Sequence, residues 1–361
     1  LSDNPTTSSA ASTRLRSVDW VDDAVELVDQ TRLPQEHRTL RITDVPTLVD
    51  AIKRLAVRGA PSIGVAGAFG VALAARAHPP DRDPEGFASA LAALRTARPT
   101  AVNLVRSVDR VAARAAEGLE ALLEEATAIR DEEIAACWSM GSYGADLLAE
   151  LCGERPLVTM TVCNTGGLAA VERGTALGVI ETLFERDMLA EALAVETRPL
   201  LQGGRLTVWE LQQMGAPHRL IVDAAGPFLL AGGRADVVLI GADRIARNGD
   251  TANKIGSFSL ALAARHAGVP FVVVAPESTV DLSTATGADI EIEDRGPEEV
   301  VSVQGVPVAP AGTPALNPAF DVTPVELITA LVTDRRVIRF DRGETIETVP
   351  LGELRYPLGT H

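Results

Sequence analysis

Lysine is nearly absent from this chain. Of 33 basic residues among 361, only Lys53 and Lys254 are lysines. Arginine serves wherever a generic cation suffices, so a lysine kept inside a polar motif points to a need for a compact, strongly hydrated ammonium. The other reading of Lys254 is a surface lysine without a role. Aromatic residues make up only 4% of a chain that is 46% hydrophobic. Packing must therefore rest on Ala, Leu and Val, as in helix-rich layers and parallel strands. The three cysteines, Cys137, Cys152 and Cys163, have no paired spacing, which excludes a disulfide framework or zinc pattern. Five scattered histidines form no cluster, so no metal site built from His or Cys is expected. Positive charge is also in deficit: 33 basic against 49 acidic residues leave −16. This argues against general affinity for nucleic acid or anionic membranes, yet leaves room for a local basic pocket. No apolar run is long enough to span a bilayer. Leu1 to Thr13 are polar and Ser/Thr-rich, and read as part of a disordered tail, residues 1–16, not a signal peptide. A cytoplasmic, reducing setting is expected.

What is present falls into two halves. Ala24–Asp29 and His37–Ile42 alternate in hydropathy and predict a small antiparallel element. From Val45 to about Gly153 the pattern is helical. Beyond Gly153-Glu-Arg-Pro156, short apolar runs alternate with helical stretches. The predicted strands are Leu157–Val162, Ala192–Val195, Arg219–Val222, Val237–Ile240 and Phe271–Val274. Helices are predicted near 167–187, 204–214, 225–233, 252–267 and 323–333. Such alternation implies parallel βαβ units with right-handed crossovers. The division expected is a mainly helical domain with a small β element over 17–153, an α/β domain over 154–345 and a tail from 346 to 361.

The chemistry gathers at strand ends. Gly241-Ala-Asp-Arg-Ile-Ala-Arg-Asn-Gly-Asp-Thr-Ala-Asn-Lys-Ile-Gly256 follows the apolar run Ala235–Ile240. It offers a carboxylate (Asp243), an amide (Asn253) and an ammonium (Lys254), the last two read as opening a helix. Ligands of open α/β sheets lie beyond the carboxyl ends of strands. Thr161-Val-Cys-Asn-Thr-Gly-Gly167 puts Cys163 at the end of another strand, with Gly-Gly read as opening a helix whose dipole would favour a thiolate. A lone cysteine is more often an inert small hydrophobe, as Cys137 and Cys152 are read, but the polar flanks of Cys163 are odd for a core. Glu196-Thr-Arg-Pro-Leu-Leu-Gln-Gly-Gly-Arg205 supplies Gln202 and Arg205 as groups for a sugar or phosphate; ordinary helix capping is the alternative.

In the first half, Val57-Arg-Gly-Ala-Pro-Ser-Ile-Gly64 starts a small-residue helix at Pro61. The free amides at Gly59 and Ala60, with Arg58, suit phosphate, although a tightly packed helix start explains the pattern equally. Arg98 precedes a Pro-started helix at Pro99. The first-half arginines are placed to reach over the sheet edge as a lid.

These motifs, together with Asp29-Gln-Thr-Arg-Leu-Pro34, Gly174–Val179 and Asn317–Pro324, resemble those of the methylthioribose-1-phosphate isomerases of methionine salvage, from about Trp20 to Ile338. The departures are Phe69, Glu172-Arg173 and Gly204, where Tyr, Tyr and Ala are usual. The resemblance implies an N-terminal helical domain, a Rossmann-like C-terminal domain with a mostly parallel sheet, and a homodimer without cofactor or metal. It implies Cys163 and Asp243 as the catalytic pair, and Arg58, Gly59, Ala60, Arg98, Gln202, Asn253 and Lys254 as substrate-binding residues. The implied reaction turns 5-methylthio-α-ribose 1-phosphate into 5-methylthioribulose 1-phosphate. Asp243, if buried beside Ile240 and Ile245, would stay protonated to assist ring opening. Cys163 would manage the proton at C2, a direct hydride shift being the rival route. Related isomerases of ribose 1,5-bisphosphate or 5-deoxyribose 1-phosphate, and non-catalytic initiation factor 2B subunits, are the alternatives.

Overall fold

The computed structural model describes residues 15–98 and 101–356. Most of the expected N-terminal tail, Pro99 and Thr100 of the Arg98 motif, and residues 357–361 lie outside the described residues. The chain begins with a three-stranded antiparallel sheet in the order β1 (Val18–Val21), β2 (Ala24–Val28), β3 (Thr39–Ile42). Alternation gave the last two strands, and the structure adds β1. Asp22 and Asp23 turn between β1 and β2 with φ of 43° and 66°. Asp tolerates this left-handed conformation, which two-residue hairpin turns require.

Five helices follow. In α1 (Val45–Lys53), Asp44 accepts from the Thr47 amide as N-cap. Next come α2 (Ala60–Ala77), α3 (Pro84–Thr96), α4 (Val102–Ala112) and the 34-residue α5 (Leu119–Cys152). Helix α2, mostly Gly, Ala and Val, is apolar around its circumference and is buried from Ser62 to Ala75. Contrary to the sequence expectation, this one helix is long and apolar enough to cross a membrane, but here it is the core helix around which the others pack.

The second half is built on strands β4 (Leu157–Thr161), β5 (Leu189–Val195), β6 (His218–Ile221) and β7 (Val237–Ile240), with helices α6 (Ala176–Glu185), α7 (Val208–Met214) and α8 (Ala225–Ala231) between them. Beyond these come β8 (Arg244–Ala246), β9 (Thr251–Lys254), α9 (Ser257–Ala267), β10 (Phe271–Val274), β11 (Val280–Asp281) and α10 (Glu298–Val301). A short hairpin, β12 (Ser302–Val303) and β13 (Val306–Pro307), precedes β14 (Phe320–Thr323), β15 (Ala330–Val332) and β16 (Val337–Ile338).

Seven strands form one sheet in the order β16-β15-β10-β7-β4-β5-β6, parallel except for β16. Alternate residues of the central strands face opposite ways. Val237 and Leu239 join the core under α5 and α6, and Val238 and Ile240 join the core under α8 and α9. The chain runs outward from β4 through β5 to β6, then returns to place β7 on the other side of β4. The topological switch point therefore lies between β4 and β7. A second sheet, β11-β8-β9-β14, stands beyond the carboxyl end of β7.

Four expectations are corrected. Gly166 and Gly167 do not open a helix. Residues 166–175 form a loop closed by a Gly166–Gly174 bridge, and α6 starts only at Ala176. The predicted helix 204–214 begins with a wider turn over Gly203–Thr207. Asn253 and Lys254 end a strand, because β9 pairs with β14 and Gly256, at φ 104°, separates it from α9. Residues 323–333 are mostly extended, since the run Ala330–Val332 is buried between neighbouring strands. Such short apolar runs carry no periodicity that separates strand from helix.

Candidate active site

Cys163 and Asp243 lie just beyond the carboxyl ends of β4 and β7, the two strands flanking the switch point. Both open on a cavity of about 1030 Å³. The same cavity is lined by Arg58, Gly59, Ala60, Arg98, Gln202, Asn253 and Lys254, so all nine singled-out positions meet there.

The Cys163 loop is held from both sides. Its backbone is left-handed, with φ 67°, a conformation that costs a non-glycine residue about 1–3 kcal/mol unless its surroundings fix it. They do: the Cys163 amide donates to Thr197 Oγ1 at 2.8 Å, and Thr207 Oγ1 donates to the Cys163 carbonyl at 2.6 Å. Arg58 donates through Nη1 to Asn164 Oδ1 at 2.8 Å and through Nη2 to the Asn164 carbonyl at 3.3 Å. The same Nη2 stands 3.5 Å from Cys163 Sγ.

Gly59 caps α2 at φ 85°, and a Cβ there would overlap the carbonyl of Ala169. Only glycine satisfies both the backbone angle and the approach. This contact seats the N-terminus of α2 beside the Cys163 loop. The first amides of α2 have no partner inside the helix.

Asp243 is steered by the second sheet, where its amide donates to the Ala252 carbonyl at 2.9 Å. Its side chain is accessible to cavity water, not buried against Ile240 and Ile245, whose side chains belong to the core behind. Enclosure by protein still raises its carboxyl above the ordinary range, against the opposing pull of Lys254, Arg58 and Arg98. A ligand that expels the cavity water would strengthen that shift. Lys254 is pushed down by burial. Its Nζ donates to the Ala319 carbonyl at 2.9 Å and sits 4.2 Å over the Phe320 ring. Asn253 donates to Ser257 Oγ at 2.8 Å. Buried Gln202 leaves its Oε1 without a partner.

Positive charge is in surplus. Burial lowers Arg98, and the guanidiniums of Arg295 and Arg58 oppose its charge further. An anion in the cavity would relieve this. Other cations at the walls are already engaged: Arg295 with Glu299 at 2.6 Å, Arg54 with Asp29 at 3.1 Å, Arg244 with Asp281 at 3.5 Å. Arg205, expected to meet substrate, donates instead to the carbonyls of Leu200, Gln30 and Leu33. Glu196 does not line the cavity.

The cover differs from the expected arginine lid. Arg58 and Arg98 do line one wall, but residues between Ile290 and Gln304 contribute another. Arg198 fastens that segment through the carbonyls of Glu299 and Val300. Two residues without a signal of their own in the sequence also meet at the Cys163 loop: Asn164, a polar neighbour of the thiol, and Glu210, which reads as any acid on a helix.

Residues 56–339 match the model of the initiation factor 2 subunit family. A methylthioribose-1-phosphate isomerase of Chloroflexus aurantiacus is 47% identical over 90% of this chain and 95% of its own length. The chain belongs to the methylthioribose-1-phosphate isomerases of the initiation factor 2 subunit family. A Nocardia farcinica relative, named a probable bifunctional methylthioribose-1-phosphate isomerase/methylthioribulose-1-phosphate dehydratase, is 51% identical over 89% of this chain. The chain spans 59% of that relative's length. Among solved structures of the family, 5-methylthioribose 1-phosphate isomerase from Pyrococcus horikoshii superposes with a TM-score of 0.84 at 39% identity, over 90% of this chain and 92% of its own. A structure titled translation initiation factor eIF-2B, subunit delta, from A. fulgidus gives 0.80 at 41%, over 90% and 96%.

Proposed function

We propose that this chain is an aldose–ketose isomerase that converts 5-methylthio-α-D-ribose 1-phosphate to 5-methylthio-D-ribulose 1-phosphate in methionine salvage. One observation carries the reading. A thiol and a carboxyl face the same cavity from the two strands that flank the switch point, beside Arg58, Arg98 and Lys254, which make no ion pair among the described residues. A binding subunit has no need of that pair.

The anomeric oxygen of the substrate carries phosphate, so the ring does not open unaided. Protonated Asp243 gives its proton to the ring oxygen as the bond from C1 breaks. Cys163, as thiolate, takes the proton from C2, leaving an enol between C1 and C2. The thiol then returns a proton to C1, and Asp243 recovers one from the C2 hydroxyl as the ketone forms. Protons and charges balance, and both groups end as they began. In the rival route hydrogen moves directly from C2 to C1, and Cys163 carries no proton. Arg58, Arg98 and the amides at Gly59 and Ala60 hold the phosphate. Gln202, Asn253 and Lys254 hold the sugar oxygens.

The engaged state of Arg54, Arg205, Arg244 and Arg295 supports a single phosphate on the substrate. The apolar wall of Leu33, Leu55, Pro61, Ile63 and Val102 supports methylthio at C5 over a second phosphate. A coupled assay of ketose phosphate formation, run with the methylthio, 5-deoxy and 5-phospho sugars, tests this. Turnover of none would leave the binding-subunit reading. Preference for the bisphosphate would overturn the C5 assignment.

The working unit is a homodimer, and the division at 153–154 separates a helical from a catalytic domain. Edge strand β6 with α8 exposes Leu220, Val222 and Phe228, the last at 76%. Exposed apolar side chains beside an open strand edge suit a second copy. A monomeric mass in light scattering would remove it. Cytoplasmic residence is consistent with three unpaired thiols.

A further inference from the structure

Glu210 lies on α7 beneath the Cys163 loop and is 8% exposed. Its Oε1 accepts from Asn164 Nδ2 at 2.6 Å, and its Oε2 accepts from the Leu168 amide at 3.3 Å. The approach is so close that a Cβ on Gly166 would overlap the carboxylate. Burial, with Glu181 nearby, pushes this carboxyl up to about 7, against its hydrogen bonds from the loop.

The bond to Asn164 fixes a polarity. The Nδ2 of Asn164 faces two acceptors, Glu210 and, at 3.4 Å, Thr207 Oγ1. Its Oδ1 must then face the other way, where it meets a group that can only donate, the Arg58 guanidinium at 2.8 Å. That bond, together with the one from Nη2 to the Asn164 carbonyl at 3.3 Å, sets Arg58 Nη2 3.5 Å from Cys163 Sγ.

We infer that Glu210 is a positioning residue: through Asn164 it aims Arg58 at the Cys163 thiol. The inference rests on Cys163 as the proton-carrying thiol, and Glu210 touches no substrate. A glutamine at 210 keeps the volume but presents a donor or a single acceptor, so Asn164 and the loop amides can no longer all be satisfied.

The test reads the thiol directly. Iodoacetamide modification of Cys163, located by peptide mass spectrometry, is followed against pH in the full chain for wild type, E210Q, N164A and the double variant. In E210Q the midpoint should move to higher pH by about one unit, the lower end of what an opposite charge within 4–6 Å does to a titrating group. The kcat should fall about tenfold, with folding retained. N164A should show the same upward move, and E210Q should add nothing to it, because coupled residues do not add. An unchanged midpoint would make Glu210 a support for the loop alone. A downward move would show that Glu210 acts as a charge through space. Either result overturns the inference. If E210Q does not fold, N164A decides, since it keeps the carboxylate and its backbone bonds. An inactive wild type would sink the isomerase reading while leaving the alkylation result to be read on its own.

Discussion

Arg205 donates to the Gln30 carbonyl at 3.1 Å across 175 positions of sequence. It ties the turn after β2 to the segment that presents Gln202. Two further carbonyls, of Leu33 and Leu200, complete its environment, and Gln30 Nε2 reaches back to the Leu168 carbonyl at 2.6 Å. The two halves of the chain are thus clasped along one wall of the cavity. Arg205→Ala would strand buried carbonyls, each a penalty of about 1–3 kcal/mol where water cannot enter. The expected loss is about 2 kcal/mol in urea unfolding, with KM raised because Gln202 loses its frame. A variant as stable as wild type would show that the clasp is incidental.

The surroundings of Lys254 suit a compact ammonium. Its Nζ is held between the Ala319 carbonyl and the Phe320 ring. A guanidinium is longer, planar and needs several acceptors in one plane. Lys254→Arg should therefore lower kcat/KM at least about tenfold, about 1.4 kcal/mol of transition-state binding, despite the retained charge. Kinetics equal to wild type would mean that charge alone is needed at this position.

The proton roles of Asp243 and Cys163 separate in two measurements. Asp243→Asn and Cys163→Ser should each reduce turnover by at least about 10²-fold, the usual scale for general acid–base groups. Near-normal turnover in both would end the assignment. The raised carboxyl of Asp243 keeps the acid form to higher pH than an ordinary aspartate. Activity should fall as pH rises and Asp243 ionises, above the range of an ordinary aspartate, and this limb should vanish from the residual rate of Asp243→Asn. Deuterium from solvent appearing at C1 would support transfer through Cys163, and its complete exclusion would favour the hydride shift.

Much of this site was legible because each motif ended a strand or started a helix. Val237–Ile240 and Phe271–Val274 read correctly as buried strands, and strand ends alone put the residues after β4 and β7 at the ligand edge. What failed was local and had a physical cause. Asn253 and Lys254 read as a helix start because their pairing partner, β14, lies some 65 residues away in sequence. Gly166 read as part of a helix opening because the carboxylate that excludes a side chain there belongs to Glu210. The segment near 290–304 carried no motif, since its part in the wall depends on where Arg198 fastens it. Non-local contacts decided each of these cases, and hydropathy patterns record only local ones.

Asp321 gives a stability prediction with a definite sign. It accepts from the Gly256 and Phe258 amides at 2.7 and 3.1 Å at the start of α9. Those bonds and Lys254 favour the ionised form, but burial prevails and raises the carboxyl from 3.8 to about 6. Between these values the folded chain keeps a proton that the unfolded chain has released. Folding stability from this group is therefore full below about 3.8 and is lost as pH rises through about 6. The full shift would be worth about 3 kcal/mol at about 1.4 kcal/mol per unit, and partial exposure reduces this to about 1–2. Asp321→Asn, which cannot ionise, should flatten the fall in urea midpoint between pH 4 and 7 and should be the more stable protein at pH 7. A wild-type profile no steeper than that of the variant would show that the capping bonds, not burial, set the ionisation of Asp321.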